Sequence, residues 1–364
     1  MKVAALWRDF HSEVEDMKYG IIKKSTATVW GVPSETEIVE GQERSAIADE
    51  ALYGMGLSVV GEAENGYYPV RTHYGYEGYV REDDVRIVTL EEMQAWEASR
   101  LMIVSGICVD VTSIPKVQGI LLESLFRGAL LKVLEFDSGA EADDGRNVGE
   151  KSSAAVQTDC KKDPEKSWPV EGAAGWARVE LVDGRIGYIR NQYLMEKKFS
   201  QAGLWEEKLP QSFLKRRESA LSEDRKEGSL LQSSERLEAE FRDAVVRTAM
   251  TYLGVQYRWG GKSTAGIDCS GLTSMSYMLN GVLTYRDAQI KPEFPVHEIP
   301  REQMKKGDLM YFPGHIALYI GDQRYIHSTG RIGSGGVVIN SMNPLDPDYR
   351  EDLVKCMYAA GSIF

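Results

Sequence analysis

The sequence has 364 residues, of which 43% are hydrophobic and 27% are charged, and its formal net charge is −12. At ~150 residues per domain this length predicts two or three domains, and no segment approaches the ~18 apolar residues that span a membrane. The negative charge argues against nucleic acid or an anionic membrane surface as the main partner, because both select basic patches.

The amino-terminal ten residues contain one lysine and a short apolar run, residues 3–7, which Arg8 and Asp9 interrupt. This run is too short for the core of a signal peptide. The sequence therefore predicts a cytoplasmic protein, or a secreted one if a leader has been removed.

The cysteines are widely separated and include no C-x-x-C pair: Cys108, Cys160, Cys269 and Cys356. This spacing argues against a structural zinc site and against a dense disulfide framework. Reduced thiols, as in the cytoplasm, are the simpler interpretation. No metal and no other cofactor is predicted.

Residues 25 to about 90 alternate short apolar segments with glycine-containing turns. The apolar segments are predicted strands, at residues 46–48, 57–60, 67–70 and 78–80. Closely spaced strands with such punctuation are typical of a small β-barrel.

A second run has the same layout, with predicted strands at residues 121–125, 129–134, 176–179 and 186–189. The two runs share the same ending. In the first, an aromatic strand after Gly66 is followed by the strand at residues 78–80, and in the second, an aromatic strand after Gly175 is followed by the strand at residues 187–189. We interpret the runs as an internal repeat of two barrels. An insert at residues 137–166, rich in Ala, Asp, Lys and Ser, is predicted to be an exposed loop.

Residues 196–236 are strongly charged and contain no apolar run, which indicates a partly helical linker. The pattern changes at Leu237. Apolar residues then recur at helical spacing as far as Leu253, and Gly254 is a predicted C-cap.

Cys269 lies in the densest motif of the chain. Residues 257–261, with two glycines, precede residues 267–272, and apolar residues at helical spacing follow as far as Leu279. Cys269 is therefore predicted at the start of a helix, where unpaired N–H groups and the macrodipole stabilise a thiolate. The same N–H groups can bind an oxyanion. The other three cysteines lack such neighbours and are interpreted as small buried core residues.

The chain has five histidines: His11, His73, His297, His315 and His327. His315 opens a strand-like run, and His327 lies in a second one beyond a turn at residues 321–323. Strands joined by so short a turn form a hairpin, on which these two histidines can share a face and hydrogen-bond in series. That arrangement suits a base and its orienting partner for a thiol nucleophile. The other three histidines are interpreted as surface residues.

A metal site formed by Cys269, His315 and His327 is the competing interpretation of the same residues. It lacks a closely spaced ligand pair and a fourth ligand. Nucleophilic catalysis is therefore the preferred hypothesis.

With these motifs, residues 237–364 resemble the NlpC-type papain-like peptidases of bacterial cell-wall metabolism. The motifs that carry the resemblance are residues 257–272, 307–309, 314–317 and the strand with Ile326 and His327. The upstream regions resemble bacterial SH3-like domains by pattern alone. The whole arrangement is similar to γ-D-glutamyl-L-diamino-acid endopeptidases, which release L-Ala-γ-D-Glu from peptidoglycan stem peptides.

This resemblance implies an amide hydrolysis through an acyl-enzyme, with Cys269 as the nucleophile, His315 as the base and His327 as the orienting residue. It implies peptidoglycan-derived muropeptides with a free L-Ala end as the partner, as a murein-recycling enzyme would meet them. The diamino acid at the third stem position and the oligomeric state are left open.

The resemblance also implies a set of substrate-binding residues. Asp268 and Ser270, which flank the cysteine, would help to hold the free amino terminus of the substrate, and Tyr257 would lie near the oxyanion. The first SH3-like domain would close one end of the cleft with an acidic residue and a tyrosine, for which Glu50 and Tyr76 are the candidates. For both, an ordinary place on the barrel surface is the alternative.

The predicted fold class is α+β: a papain-like NlpC-type domain preceded by two small SH3-like β-barrels. The predicted divisions are an N-terminal segment (1–24), a first barrel (25–95), a second barrel (100–195), a charged linker (196–236) and a peptidase domain (237–364).

Other functions stay open at this point. A secreted hydrolase that cuts intact wall would be favoured by a leader peptide upstream of Met1. A wall-binding protein would have no need of the complete set of Cys269, His315 and His327. A thiol acyltransferase acting on lipid would be expected to show a long apolar stretch, which the sequence lacks.

Overall fold

The computed structural model describes residues 18–136, 175–205 and 227–364. Within these residues the chain forms an N-terminal sheet unit (18–88), a second sheet unit (101–196) and a C-terminal unit (227–364). The predicted insert, part of the predicted linker, His11 and Cys160 lie outside the described residues.

The N-terminal sheet unit contains the strands β1 (Lys18–Ile22), β2 (Thr26–Trp30), β3 (Thr36–Val39), β4 (Gln42–Ser45), β5 (Ile47–Leu52), β6 (Gly56–Val59), β7 (Tyr67–Thr72), β8 (Glu77–Arg81) and β9 (Val85–Val88). Seven of them form an antiparallel sheet in the order β5-β2-β8-β7-β6-β1-β9, and β3 pairs with β4. Three valines are fully buried in the core of this unit: Val29, Val70 and Val80. Each lies on a strand, where alternate side chains point to the same face of the sheet.

The helix α1 (Leu90–Ala98) leads to the second sheet unit and begins with a capping box between Thr89 and Glu92. The second unit contains β10 (Leu101–Val104), β11 (Cys108–Thr112), β12 (Leu121–Phe126), β13 (Leu130–Phe136), β14 (Trp176–Glu180), β15 (Ile186–Arg190) and β16 (Leu194–Glu196). Its strand order, β12-β11-β15-β14-β13-β10-β16, corresponds strand by strand to that of the first sheet. The predicted internal repeat is therefore confirmed as a shared topology, whereas the SH3-like barrels stay a prediction.

The C-terminal unit contains the helices α2 (Glu227–Met250), α3 (Cys269–Met278) and α4 (Glu351–Cys356) and a short hairpin of β17 (Lys262–Ser263) and β18 (Gly266–Ile267). Its main sheet has the order β19-β24-β20-β21-β22-β23, with β19 (His297–Ile299), β20 (Leu309–Phe312), β21 (His315–Gly321), β22 (Arg324–Thr329), β23 (Gly336–Ser341) and β24 (Ala359–Ser362). The boundary predicted at residue 237 falls inside α2. This unit, with antiparallel strands and few helices, fits the α+β prediction.

Helix α3 is buried along its whole length, between α2 and the strand β21. Leu272 and Met275 are fully buried in the main hydrophobic core. The buried hydroxyl of Ser276 donates to the carbonyl of Leu272 at 2.7 Å, so this polar side chain is satisfied within the helix. The core therefore fixes α3, and with it the residue at its first position.

The burial of several isolated residues differs from expectation. Cys108 and Cys356, expected in the core, are exposed. His73, expected at the surface, is 1% exposed, and its ring stacks on Phe199. His297 is exposed as expected. A lone residue belongs to no periodic pattern, so its burial is decided by how the units pack rather than by its neighbours in sequence.

Within the described residues, no helix combines the length and the apolar character needed to cross a bilayer.

Candidate active site

Cys269 is the first residue of α3 and is 7% exposed. The preceding Asp268 is the N-cap, and its carboxylate accepts from the backbone N–H of Gly271 at 2.6 Å and of Gly260 at 2.9 Å. Gly260 has a φ of +72°, a left-handed conformation that glycine adopts without strain. The predicted helix start behind a glycine-rich loop is thus confirmed.

The strands β21 and β22 form the predicted hairpin around residues 322–323, which both have positive φ, as in a type I′ turn. Leu318 pairs with Ile326 across the hairpin. His315 and His327 each lie an odd number of residues from that pair. Both therefore point to the same face of the sheet, opposite to the face of Leu318 and Ile326.

A series of hydrogen bonds starts at this pair. Nε2 of His315 lies 2.7 Å from Nδ1 of His327, and Nε2 of His327 lies 2.9 Å from Oδ1 of Asn340. The amide Nδ2 of Asn340 donates to the backbone carbonyl of Asp348 at 2.8 Å, which fixes the orientation of the amide. Its oxygen can only accept, so His327 carries its proton on Nε2, and His315 donates from Nε2 to Nδ1 of His327. Nδ1 of His315 then carries the lone pair that is free to accept a proton.

Burial determines the protonation states of these groups. It raises the pKa of Cys269 to about 11, with a further contribution from the charge of Asp268, while the backbone N–H of Ile316 opposes the shift. Burial also lowers the pKa of His315 to about 3 and that of His327 to about 4. At neutral pH the site therefore holds a thiol beside uncharged imidazoles. The thiolate expected at a helix start is not the resting form, because desolvation outweighs the N–H groups.

The predicted substrate-binding residues near the cysteine lie together. Tyr257 forms a β-bridge with Ile267, two residues before Cys269. Burial, and next the charge of a Cys269 thiolate, raise the pKa of Tyr257 to about 12. The hydroxyl of Ser270 accepts from Arg286 at 2.7 Å, and Asp268 accepts from the same guanidinium at 3.0 Å. The carboxylate of Asp268 is thus already paired with a cation.

Glu50, on β5, is 3% exposed and lies against the hairpin of β17 and β18. Its Oε2 accepts from the backbone N–H groups of Lys262 and Ser263, both at 2.9 Å, and its Oε1 accepts from Arg258 at 3.0 Å. Both oxygens therefore have protein partners, and the side chain ties the N-terminal sheet unit to the loop that precedes the cysteine.

Tyr76 donates its hydroxyl hydrogen to Asp287 at 3.4 Å, across the boundary between the N-terminal sheet unit and the C-terminal unit. Asp287 is half-buried. Burial, opposed in part by Arg286, raises the pKa of this carboxyl, and the charge of Asp49 adds to the increase. The structure thus places a carboxyl group of the C-terminal unit beside the predicted Tyr76.

A buried charge series joins the two units behind this carboxyl. Asp49, on β5, accepts from Arg286 at 2.5 Å and from Lys262 at 2.8 Å, and Arg286 also binds Asp268. Burial alone would raise the pKa of Asp49, but the charges of Lys262 and Arg286 hold it below its ordinary value. Buried ions persist when they are paired in this way. The N-cap of α3 is therefore held by the N-terminal sheet unit through one guanidinium.

Sequence reasoning missed four residues of this region: Asn340, Asp287, Arg286 and Asp49. For Asn340 a signal exists, since it is a polar residue in the predominantly apolar strand β23. For the other three the sequence carries no periodic signal, because each has a partner in another unit. Among the described residues, no group of three or more His, Cys, Asp or Glu side chains is arranged to bind a metal ion.

Comparison with known proteins places this geometry in context. The profile of the NlpC/P60 family matches residues 254–349, which include the cysteine, both histidines of the hairpin and Asn340. The chain is 34% identical over 318 residues to dipeptidyl-peptidase 6 of Lysinibacillus sphaericus, an alignment that covers 87% of this chain and 92% of that protein.

Two further likenesses involve Bacillus cereus. A γ-D-glutamyl-L-lysine dipeptidyl-peptidase is 33% identical over 110 residues, which cover 28% of this chain and 33% of that protein. A crystal structure described as an NlpC/P60 family protein covers 94% of this chain and 98% of its own, with a TM-score of 0.59 and 18% identity. The latter likeness is one of fold.

Proposed function

The chain belongs to the NlpC/P60 family of cell-wall cysteine peptidases, and we propose that it cleaves the amide bond between γ-D-Glu and the diamino acid of peptidoglycan stem peptides. The proposed nucleophile is Cys269, with His315 as the base and His327 as the orienting residue. The names of the relatives, dipeptidyl-peptidase and γ-D-glutamyl-L-lysine dipeptidyl-peptidase, support this bond and the release of a dipeptide.

In the proposed reaction, Nδ1 of His315 takes the thiol proton as the sulfur of Cys269 attacks the γ-carbonyl carbon. N–H groups at the start of α3, with Tyr257 nearby, stabilise the oxyanion. The proton then passes from His315 to the leaving amine of the diamino acid, which leaves an acyl-enzyme. Water, deprotonated by the same nitrogen, releases the dipeptide and restores the thiol.

The specificity part of the proposal rests on the contact of Tyr76 with Asp287 at 3.4 Å, which joins two units. Asp287 follows Arg286, the residue that binds Ser270 and Asp268. A substrate ammonium group that leaves water must meet negative charge. Asp268 and Glu50 already have cationic partners in the protein. Burial raises the pKa of Asp287, and its hydrogen-bond partners are the phenols of Tyr285 and Tyr76 rather than a cation. We therefore assign the amino end of the substrate to Asp287 and Tyr76, beside Ser270 and Asp268, with Glu50 holding the hairpin that forms the wall.

A closed end of this kind favours free muropeptides over intact wall, because a glycan-linked stem peptide has no free amino terminus. A role in recycling of murein peptides, and with it a cytoplasmic location, is part of the proposal. So is the assignment of the two sheet units as SH3-like domains.

The test is incubation with the tripeptide L-Ala-γ-D-Glu-diamino acid, free and N-acetylated, with products identified by mass. A buried charge contact broken on one side costs ~3 kcal/mol, so kcat/KM for the acetylated form should fall at least ~100-fold. Equal cleavage of both forms, or of glycan-linked stem peptides, would instead support a secreted hydrolase of intact wall.

A further inference from the structure

A cleft of about 580 Å³ opens on the second sheet unit. All the described residues that line it belong to this unit, so the cleft is separate from the site around Cys269. Its principal lining residues are Ile107, Val117, Arg127, Trp176, Arg190 and Tyr193.

Among the residues that the structure describes, two arginines of the cleft have no acidic partner. The guanidinium of Arg190 lies 4.4 Å from the ring centre of Trp176, its cross-strand neighbour, and that of Arg127 lies 5.4 Å from the ring of Tyr252. Neither forms an ion pair among the described residues, and Nε of Arg127 is buried without a hydrogen-bond partner. Asp110 also lines the cleft and accepts from Ser124. A guanidinium with a buried, unsatisfied Nε and no ion pair, in a chain of net charge −12, indicates an anionic ligand.

Apolar side chains surround the cleft. Ile107 and Val117 line it and are more than half exposed. Ile120, just before β12, and Leu121, at its start, are exposed to a similar extent. Tyr193 adds an aromatic edge. Concentrated exposed apolar surface on a folded unit marks a binding site rather than ordinary surface. The ligand therefore has an apolar part next to its negative charge.

The cleft does not have the form of a sugar site. Sugars bind on exposed aromatic faces, but Trp176 is 4% exposed and its ring face is covered by Arg190. A guanidinium held on an aromatic ring is instead suited to a carboxylate, which it binds through two parallel N–H groups. A peptide carboxyl terminus combines this charge with an apolar backbone face.

The rim of the cleft is joined to the loop before the nucleophile. The carbonyl of Ile107 accepts a hydrogen bond from the hydroxyl of Thr264. Thr264 lies at the tip of the hairpin of β17 and β18, which leads directly to Asp268 and Cys269. A ligand in the cleft is therefore adjacent to the unit that carries the reaction.

We propose that this cleft is a second binding site, which takes the free carboxyl end of a peptidoglycan stem peptide on Arg190 and Arg127. Trp176 holds the guanidinium of Arg190 in place, and Ile107 and Tyr193 pack against the peptide. This inference uses the family-level activity on peptidoglycan and does not depend on which bond is cut.

Ligand binding is measured through the labelling of Cys108, because this cysteine lines the cleft and is exposed. The exposed Cys356 on α4 is the internal control. In Cys269→Ala protein, iodoacetamide labelling of both cysteines is followed by mass at about 10 mM lysyl-D-alanine, a concentration that largely fills a millimolar site. The dipeptide should slow labelling of Cys108 about tenfold and leave Cys356 unchanged, while its carboxamide should have less than about a twofold effect.

Arg190→Ala should abolish this protection. The matched control is Arg185→Ala, which removes an exposed arginine of the same unit that is paired with Asp183 and should preserve the protection. Equal protection by the carboxamide, protection by a peptide-free disaccharide of the glycan, or no protection of Cys108 would each overturn the proposal. Cleavage of the tripeptide is measured in parallel with Arg190→Ala protein that keeps Cys269, so that a failure of the proposed cleavage is seen separately.

Discussion

Nε2 of His315 lies 2.7 Å from Nδ1 of His327, with the two rings at 76° to each other. This contact uses the nitrogen of His315 that is remote from the reaction. Because Asn340 holds His327 from the far side, the orientation and tautomer of the base are determined by a series of three side chains rather than by a single partner.

Replacement of Cys269 by alanine should remove detectable cleavage of the tripeptide. The fold should persist, because a small residue is tolerated at a helix start and the change removes only one buried atom. Product release is measured by mass and stability by thermal unfolding. The control is Cys356→Ala, an exposed cysteine, which should keep full activity. Undiminished cleavage by Cys269→Ala protein would refute the assignment.

His315→Ala should lower kcat/KM by ~10²–10⁴-fold, the usual range for loss of a general base. His327→Ala should have a smaller effect, since His327 orients the base without taking the thiol proton. His327→Asn, which retains a hydrogen-bonding group, should recover part of the rate. Steady-state kinetics on the tripeptide provide the comparison, with His297→Ala at an exposed position as control. A His297 variant as inactive as His315→Ala would contradict the hairpin model.

Asn340 should affect the pH profile through His327. Burial lowers the pKa of His315 to about 3, so the base stays unprotonated below pH 6.5, and the acid limb of kcat/KM should lie below that value. Asn340→Asp places a carboxylate beside His327, which favours protonated imidazole and should move the acid limb to higher pH. Asn340→Leu should lower the rate instead. Identical pH profiles for Asn340→Asp and wild-type protein would exclude this role.

His73 should make stability depend on pH. Burial lowers its pKa to about 3, below the ~6.5 of an unfolded histidine, so its contribution is complete above pH 6.5 and is lost as pH falls toward 3. Between pH 7 and pH 5 the loss amounts to about 2 kcal/mol. The free energy of unfolding is measured with urea at both pH values. Its decrease from pH 7 to pH 5 should be smaller in His73→Phe protein than in the wild-type protein by this amount. An unchanged difference would mean that His73 is not buried in neutral form.

Asp287→Asn should weaken discrimination for the free amino end. The substitution keeps the size of the side chain and its contact with Tyr76 but removes the charge that is proposed to meet the ammonium group. The ratio of kcat/KM for free and N-acetylated tripeptide should therefore fall by at least ~10-fold. Asp243→Asn, which removes a partly exposed carboxylate of α2 that is paired with Lys306, is the matched control and should leave the ratio unchanged. A constant ratio in Asp287→Asn protein would remove this residue from the proposal.

Some parts of this site follow from local sequence alone. A glycine-rich loop followed by helical spacing places Cys269 at a helix start, and two strands around a two-residue turn place His315 and His327 on one face. These are consequences of the 3.6 and 2.0 residue periods and of turn chemistry, which act over a few residues. The repeat of the two sheet units is visible in the sequence for the same reason, because both runs end with the same pattern of strands and turns.

Tertiary structure decided the rest. Asp49 and Arg286 are 237 residues apart in sequence, and only the packing of the N-terminal sheet unit against the C-terminal unit brings them into contact. The same packing buries Glu50 against the hairpin, and His73 is buried against Phe199, which follows the second sheet unit. Burial in the tertiary structure also removes Cys269 from water, so that its pKa rises where the helix start alone would lower it. Desolvation and long-range ion pairing depend on what surrounds a group in three dimensions, and no local pattern encodes that.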